Sequence, residues 1–249
     1  MRVTLGLRLT LAALAVFAAL VPFALVLAAV TAEWGPSASL DRDATRDLNA
    51  WVLRHDEVVP PLKATSHIFH AWVFRGTGIV LICWLVYRGA RRLAAWAAVT
   101  LLVAGLLGLL LKVVVDRPRP ELPTPIAHFP GGSFPSGHAL TAVAGSATIV
   151  LILLPVLRGA WRYVAWTAAV LVSLASGVCR VALGVHYVSD VLAGWLLGAG
   201  IVLATAAAFE TWRQDAGRPP VRPVREGVEP EAAPRISPRG DPADAPPRT

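Results

Sequence analysis

The sequence predicts an all-α fold, an integral membrane six-transmembrane-helix bundle, and three observations predict it. The 249-residue chain is 55% hydrophobic and only 16% charged, with a mean hydropathy of +0.59, whereas a soluble domain of this size carries about 25% charged residues. The apolar residues fall into six blocks, at about 9–30, 68–87, 93–115, 138–157, 160–179 and 187–209, each close to the roughly 20 residues that cross a hydrocarbon core. Arginines gather at alternate ends of these blocks, the pattern of cytoplasmic loops.

Arg2 and Arg8 precede the first block. Residues 29–32 (AVTA) have the small side chains of a cleavage site, but the apolar run exceeds the roughly 7–15 residues of a signal core, so the block reads as an anchor. Residues 31–67 form the longest outer segment. Within it, residues 41–54 read as an amphipathic helix with Ala44, Leu48, Trp51 and Val52 on one face, lying along the interface with Trp51 as anchor and ended by Pro60 and Pro61. The second block is interrupted by Arg75, which is expected to snorkel outward. Arg88, Arg91 and Arg92 join the second block to the third, Arg158 and Arg162 the fourth to the fifth, and Arg213 and Arg218 follow the sixth. Placing all four groups inside puts both termini in the cytoplasm of a cell-membrane protein, with the opposite helix ends outside.

The membrane domain is therefore expected over residues 1–212. Residues 213–249 are rich in Pro, Arg and acidic side chains, have no apolar period, and read as a disordered cytoplasmic tail. Cys83 and Cys179 fall near opposite ends of their spans and are not expected to pair. The 23 Lys and Arg outnumber the 16 Asp and Glu, but they are dispersed between apolar blocks and form no basic face for nucleic acid.

Three segments at predicted outer helix ends carry chemistry: residues 112–120 (KVVVDRPRP), 135–138 (PSGH) and 180–190 (RVALGVHYVSD). Charged groups at a membrane edge are costly and mark function. In the second segment, Pro135 suits the first turn of a helix and Ser133 is placed to cap it. The amides around Ser136, Gly137 and His138 would then face an anion. In the third, His186 and Asp190 are four residues apart, sharing a face if helical. A carboxylate bonded to one imidazole nitrogen leaves the other as a lone pair, preparing a nucleophile or base. In the first, Lys112 ends a helix, Pro118 and Pro120 turn the chain, and Arg117 and Arg119 sit between as anion-clamping cations. A metal site built from His138, His186 and Asp190 is the other chemical possibility, opposed by the cations Lys112, Arg119 and Arg180.

The combined order is Lys, six residues, Arg-Pro; Pro-Ser-Gly-His; then Arg, five residues, His, three residues, Asp. It resembles the type 2 phosphatidic acid phosphatase superfamily of membrane lipid phosphatases over residues of about 66–210. The resemblance implies that His186 attacks phosphorus to form a phosphohistidine. Asp190 then orients His186, and His138 protonates the leaving oxygen and later activates water. Lys112, Arg119, Ser136, Gly137 and Arg180 hold the phosphoryl oxygens, with no metal and no cofactor. Two histidines in opposite protonation states predict a bell-shaped pH–rate profile.

The implied substrate is a lipid phosphate or diphosphate reached from the membrane lipid: phosphatidic acid, phosphatidylglycerol phosphate or undecaprenyl diphosphate. Alternatives are a lipid phosphotransferase with a non-water acceptor and an anion or lipid transporter without chemistry. The vanadium haloperoxidases that share this site are soluble, and the six spans speak against them. Where the family has Ser before the motif arginine, this chain has Cys179, a poorer hydrogen-bond donor to phosphate. His128, Gly131 and Gly132 precede the second segment, and the glycines would let that loop fold over the site. His67 and His70 fall near the outer end of the second span. Nothing in the sequence fixes the oligomeric state.

Overall fold

The computed structural model describes residues 5–127 and 129–237, with side chains from residue 13 onward. Arg2, the Arg8 side chain, His128 and the last twelve residues of the predicted tail lie outside the described residues. The helices are α1 Leu5–Thr31, α2 Gly35–Arg54, α3 Val59–Ile68, α4 Ala71–Tyr87, α5 Arg91–Val115, α6 Gly137–Leu153, α7 Ala160–Ala182 and α8 Val188–Asp215. Single-turn α9 Pro223–Glu226 and α10 Ala233–Ile236 follow.

The six apolar blocks correspond to α1 and α4–α8. Five helical stretches are long and apolar enough to cross a membrane, one of them running through α3 and α4 together (Asp56–Tyr87), and α6 is a shorter apolar helix of 17 residues. Large apolar side chains point outward: Leu102, Leu106, Leu109, Val113 and Val114 on α5, Ile79 and Val80 on α4. A contiguous apolar exterior of this kind is solvated by lipid, and the molecule is a membrane protein.

Helix α8 is the axis of the bundle, packing against α1, α5, α6 and α7. Small residues permit this. A Cβ on Gly194 would stand 2.7 Å from the Ser136 carbonyl oxygen, and one on Gly198 2.9 Å from that of Leu140, so α6 meets α8 backbone to backbone. Between helices in lipid, such close approach supplies the van der Waals contact that a hydrophobic driving force supplies in water.

The site lies where α5 and α7 end and α6 and α8 begin. Arg88, Arg91, Arg92 and Arg213 occupy the opposite helix ends. Helix α5 stops at Val115 because Asp116 takes a left-handed conformation (φ 41°), after which the chain extends through Pro118 and Pro120.

Helix α2 packs on α7 and α8 through Asp41, Thr45, Asn49 and Val52, and leaves Trp51 44% exposed, stacked on His55. Asp41 of this buried stripe reaches the charged site. One expectation is corrected. Pro60 and Pro61 open α3 instead of only closing what precedes them, since proline fits a helix's first turn. The tail is also structured further than its composition implies. Helix α8 continues to Asp215, and Val228, Ala232 and Ile236 are buried in the main core. Arg213, 2% exposed, pairs with Glu210 at 2.7 Å and Glu231 at 2.5 Å. A few apolar anchors and a buried ion network hold this segment where no apolar period exists.

Candidate active site

The site is built on helix termini. Helix α6 begins at Gly137 with Ser136 as its N-cap. The Ser136 amide donates to the Asp190 carbonyl oxygen at 2.9 Å, tying the start of α6 to the first turn of α8. That amide is therefore committed, and the expectation that it faces an anion is corrected. The hydroxyl is what remains: Ser136 is fully buried and its Oγ has no partner. The Gly137 amide lies in the helix's first turn, where N–H groups have no intrahelical acceptor. Ser133 does not cap α6. Its Oγ donates to the Pro118 carbonyl at 3.1 Å, and its amide to that of Arg117 at 2.8 Å, pinning the two loops together.

His186 and Asp190 come together at the start of α8, not along one helix face. His186 sits in the turn after α7, Tyr187 is the N-cap of α8, and Asp190 is its third residue. Asp190 Oδ2 accepts from the Tyr187 amide at 2.9 Å and faces His186 Nδ1 at 3.4 Å. The capping carboxylate thereby also orients the imidazole. The opposite nitrogen, Nε2, lies 3.4 Å from Arg119 NH1. Burial lowers the His186 pKa to about 4, with Asp190 acting in the other direction, so the ring is neutral at physiological pH.

Cations surround this imidazole. Lys112 Nζ donates to the Gly132 carbonyl at 2.8 Å, and Arg119 donates to those of Val185 at 2.7 Å and Gly131 at 3.1 Å. The loop before α6 folds over the cations as its glycines allow; Gly131 has φ +76°. Phe129 lies over Arg180 (4.8 Å from Cζ to ring centroid) and Arg119 (5.9 Å). Arg180, 1% exposed, hydrogen-bonds His138 Nε2, while its own Nε and NH1 have no partner. A buried guanidinium with two unmet nitrogens is costly unless an acceptor reaches it. A pocket of about 290 Å³ opens beside Arg119, lined mainly by loop residues including Leu122, Phe129 and Val185.

Lys112, Arg119, Ser136, Gly137, His138, Arg180, His186 and Asp190 thus form one connected cluster. Arg117 departs from the clamp expected of it. It pairs with Asp190 Oδ1 at 2.6 Å and with Asp41 Oδ2 at 2.9 Å, and these carboxylates outweigh burial and hold its pKa above the ordinary value. Asp41 and Ser189 were invisible as site residues, because Asp41 reads locally as one acid of an amphipathic helix. His70 packs edge-on against His138, with centroids 4.7 Å apart, while its Nδ1 caps α4 by accepting from the Trp72 amide. Cys179 is buried, and its Sγ donates to the Leu62 carbonyl at 3.1 Å, away from the cations. Arg75 is exposed and stacks on Trp72. Among the described residues no group of three or more His, Cys, Asp and Glu is disposed to hold a metal ion.

Fold and site together define a helical membrane protein with a histidine and cation cluster, suited to an anion, at one end of its bundle. Residues 93–214 match the PAP2 superfamily. It is 41% identical over 96 residues to phosphatidylglycerophosphatase B of Bacillus subtilis, covering 37% of this chain and 46% of that protein. It is 29% identical over 126 residues to undecaprenyl-diphosphatase of Sulfolobus acidocaldarius, covering 47% and 55%. The chain thus spans about half the length of these relatives. The crystal structure of a transmembrane PAP2-type phosphatidylglycerolphosphate phosphatase from Bacillus subtilis shares the fold, with a TM-score of 0.71 and 22% identity, covering 79% of this chain and 96% of that one.

Proposed function

We propose that this protein is a membrane lipid phosphatase that hydrolyses a lipid phosphate or diphosphate through a phosphohistidine on His186. The observation that carries this reading is the His186 ring itself: Nδ1 faces the Asp190 carboxylate and Nε2 faces the guanidinium of Arg119, both at 3.4 Å. A neutral imidazole with its Nδ1–H directed to a carboxylate presents its Nε2 lone pair where a bound anion's phosphorus would sit.

In this reading the phosphoryl oxygens take the place of the loop carbonyls on Lys112 and Arg119 and meet the unpartnered nitrogens of Arg180, the Ser136 hydroxyl and the Gly137 amide. Nε2 attacks phosphorus, the bond to the leaving oxygen breaks, and that oxygen takes a proton from His138. An anion that draws Arg180 to itself frees His138 Nε2 to take up a proton from water, and the anion's negative charge favours that protonated ring, which then serves as the acid. His138 then removes a proton from water, which attacks the phosphohistidine, frees phosphate and restores His186. The cations stabilise charge that grows in the transition state. Phosphatidic acid, phosphatidylglycerol phosphate and undecaprenyl diphosphate are the candidate substrates, and the named activities of the two relatives support the last two. The arginine-rich helix ends opposite the site support a cell-membrane orientation with the site outside and both termini in the cytoplasm.

The test is phosphate release from these three lipids in detergent with EDTA, for wild type and His186→Ala. Release that survives EDTA and disappears in the variant supports the reading, and the preferred lipid gives the substrate class. Release that EDTA abolishes overturns the metal-free mechanism. No release from any lipid overturns the phosphatase assignment.

A further inference from the structure

Helix α2 contributes a carboxylate to the site from outside the superfamily match, and it does so through a continuous chain of contacts. Asp41 is 3% exposed. Its Oδ2 accepts from Arg117 NH2 at 2.9 Å, Arg117 NH1 donates to Asp190 Oδ1 at 2.6 Å, and Asp190 Oδ2 faces His186 Nδ1 at 3.4 Å. Ser189 closes the arrangement: its amide and hydroxyl donate to Asp41 at 2.9 and 2.5 Å, and its Oγ accepts from Arg117 at 2.7 Å. The Tyr187 ring lies 4.2 Å from Arg117 Cζ and fixes the guanidinium plane.

We infer that Asp41 is a positioning residue that acts through Arg117 on the Asp190–His186 pair, setting both the geometry and the basicity of His186. The inference rests on the nucleophilic role proposed for His186. One guanidinium shared by two carboxylates neutralises each only in part, so Asp190 keeps negative charge for the imidazolium that phosphoryl transfer would create. Without Asp41, Arg117 belongs to Asp190 alone and draws that charge away. The other charged and titratable groups around His186 are Lys112 at the end of α5, Arg119 in the following loop, His138 on α6 with Arg180 of α7 behind it, and Tyr187 beside it. All of them stay in place in the variants below.

The experiment follows the His186 imidazole by NMR of histidine-labelled protein in micelles, assigned by loss of its signal in His186→Ala, together with kcat and KM against pH. Asp41→Asn is expected to lower the His186 midpoint and shift the acid limb of kcat/KM to lower pH. It should reduce kcat about tenfold or more with KM within about twofold, the pattern of a displaced reacting group. Asp41→Glu should recover most of both. Arg117→Lys, which keeps a cation but cannot bridge two carboxylates, should move the midpoint upward and carries the test if Asp41→Asn does not fold. Unmoved midpoints in folded variants overturn the inference, even where melting temperature and activity fall, because that pattern is merely structural. Should wild type hydrolyse none of the lipids while the midpoint still shifts, the phosphatase reading fails and the relay stands. Should wild type hydrolyse lipid with the midpoint unmoved, the relay alone fails.

Discussion

Arg180, near the C-terminus of α7, donates a hydrogen bond to Nε2 of His138, in the first turn of α6, although 42 residues separate them. Two groups assigned opposite partners in phosphoryl transfer, the phosphate and the leaving oxygen, are thus held against each other across a helix interface. Arg180 can serve both only because its Nε and NH1 are still unpaired.

Arg180→Lys is expected to lose about 10²-fold in kcat, the cost of removing one fixed donor to a developing anion. Lysine keeps the charge but presents a point ammonium where a planar fork is needed. Steady-state phosphate release checks this, with circular dichroism to confirm that the helices remain. Wild-type kcat in the lysine variant would mean that charge alone suffices there.

The pH profile should be displaced on its acid side. Burial lowers the His186 pKa to about 4 from 6.5, and the neutral ring is the attacking form, so kcat/KM should hold down to about pH 5 and fall below it. An acid limb at pH 6.5 would assign the nucleophile elsewhere. Stability follows the same shift. Between pH 6.5 and 4 the unfolded chain binds a proton that folded His186 refuses. Its contribution is therefore full above pH 6.5 and is lost as pH falls toward 4, which thermal melts in detergent at several pH values can follow.

Gly194→Ala should damage stability and site together. Its Cβ would stand 2.7 Å from the Ser136 carbonyl oxygen and 2.9 Å from Ala139 Cβ, so α6 must move off α8. About 1–3 kcal/mol of destabilisation is expected, with a fall in kcat because the Ser136 to Asp190 hydrogen bond spans the same junction. Gly105→Ala on α5, where a Cβ meets nothing within 4 Å, is the control and should be neutral or stabilising by up to about 1 kcal/mol. Equal melting temperatures for the two variants would show that the α6–α8 junction yields freely.

Arg75→Ala should leave activity within about twofold of wild type, because an exposed arginine stacked on Trp72 acts on packing at the membrane surface. Assays on a monophosphate and a diphosphate lipid in parallel check this. A loss confined to the diphosphate would make Arg75 a reader of the second phosphate.

Some of the site was legible residue by residue and some was not. His186 and Asp190 were readable as a pair because four residues is a short reach in any turn or helix start. They do not share a helix face, since His186 precedes α8 and Asp190, its third residue, accepts from the amide of the N-cap Tyr187. Ser136 was readable as an anion ligand from its place at a helix start, but not which of its groups is free, because its amide's acceptor comes from α8. Arg117 looked like Arg119 two residues on. Only the location of Asp41 and Asp190 separates a guanidinium that pairs with carboxylates from one that stays with carbonyls.

The sequence by itself determined the six apolar helices, their alternating charged ends and the helix termini that carry the histidines and cations. Each of these is a local property: a span must match the thickness of lipid with its own residues, and a motif occupies consecutive positions. The tertiary structure alone decided that α2 turns Asp41 inward onto Arg117 and that Arg213 and Ile236 dock the tail on the bundle. It also decided that Cys179 faces α3. Such pairings join residues far apart in the chain, 76 positions in the case of Asp41 and Arg117 and 117 in that of Cys179 and Leu62. No hydrophobic period encodes them, because they depend on which helix faces meet once the small residues of α6 and α8 have set the packing.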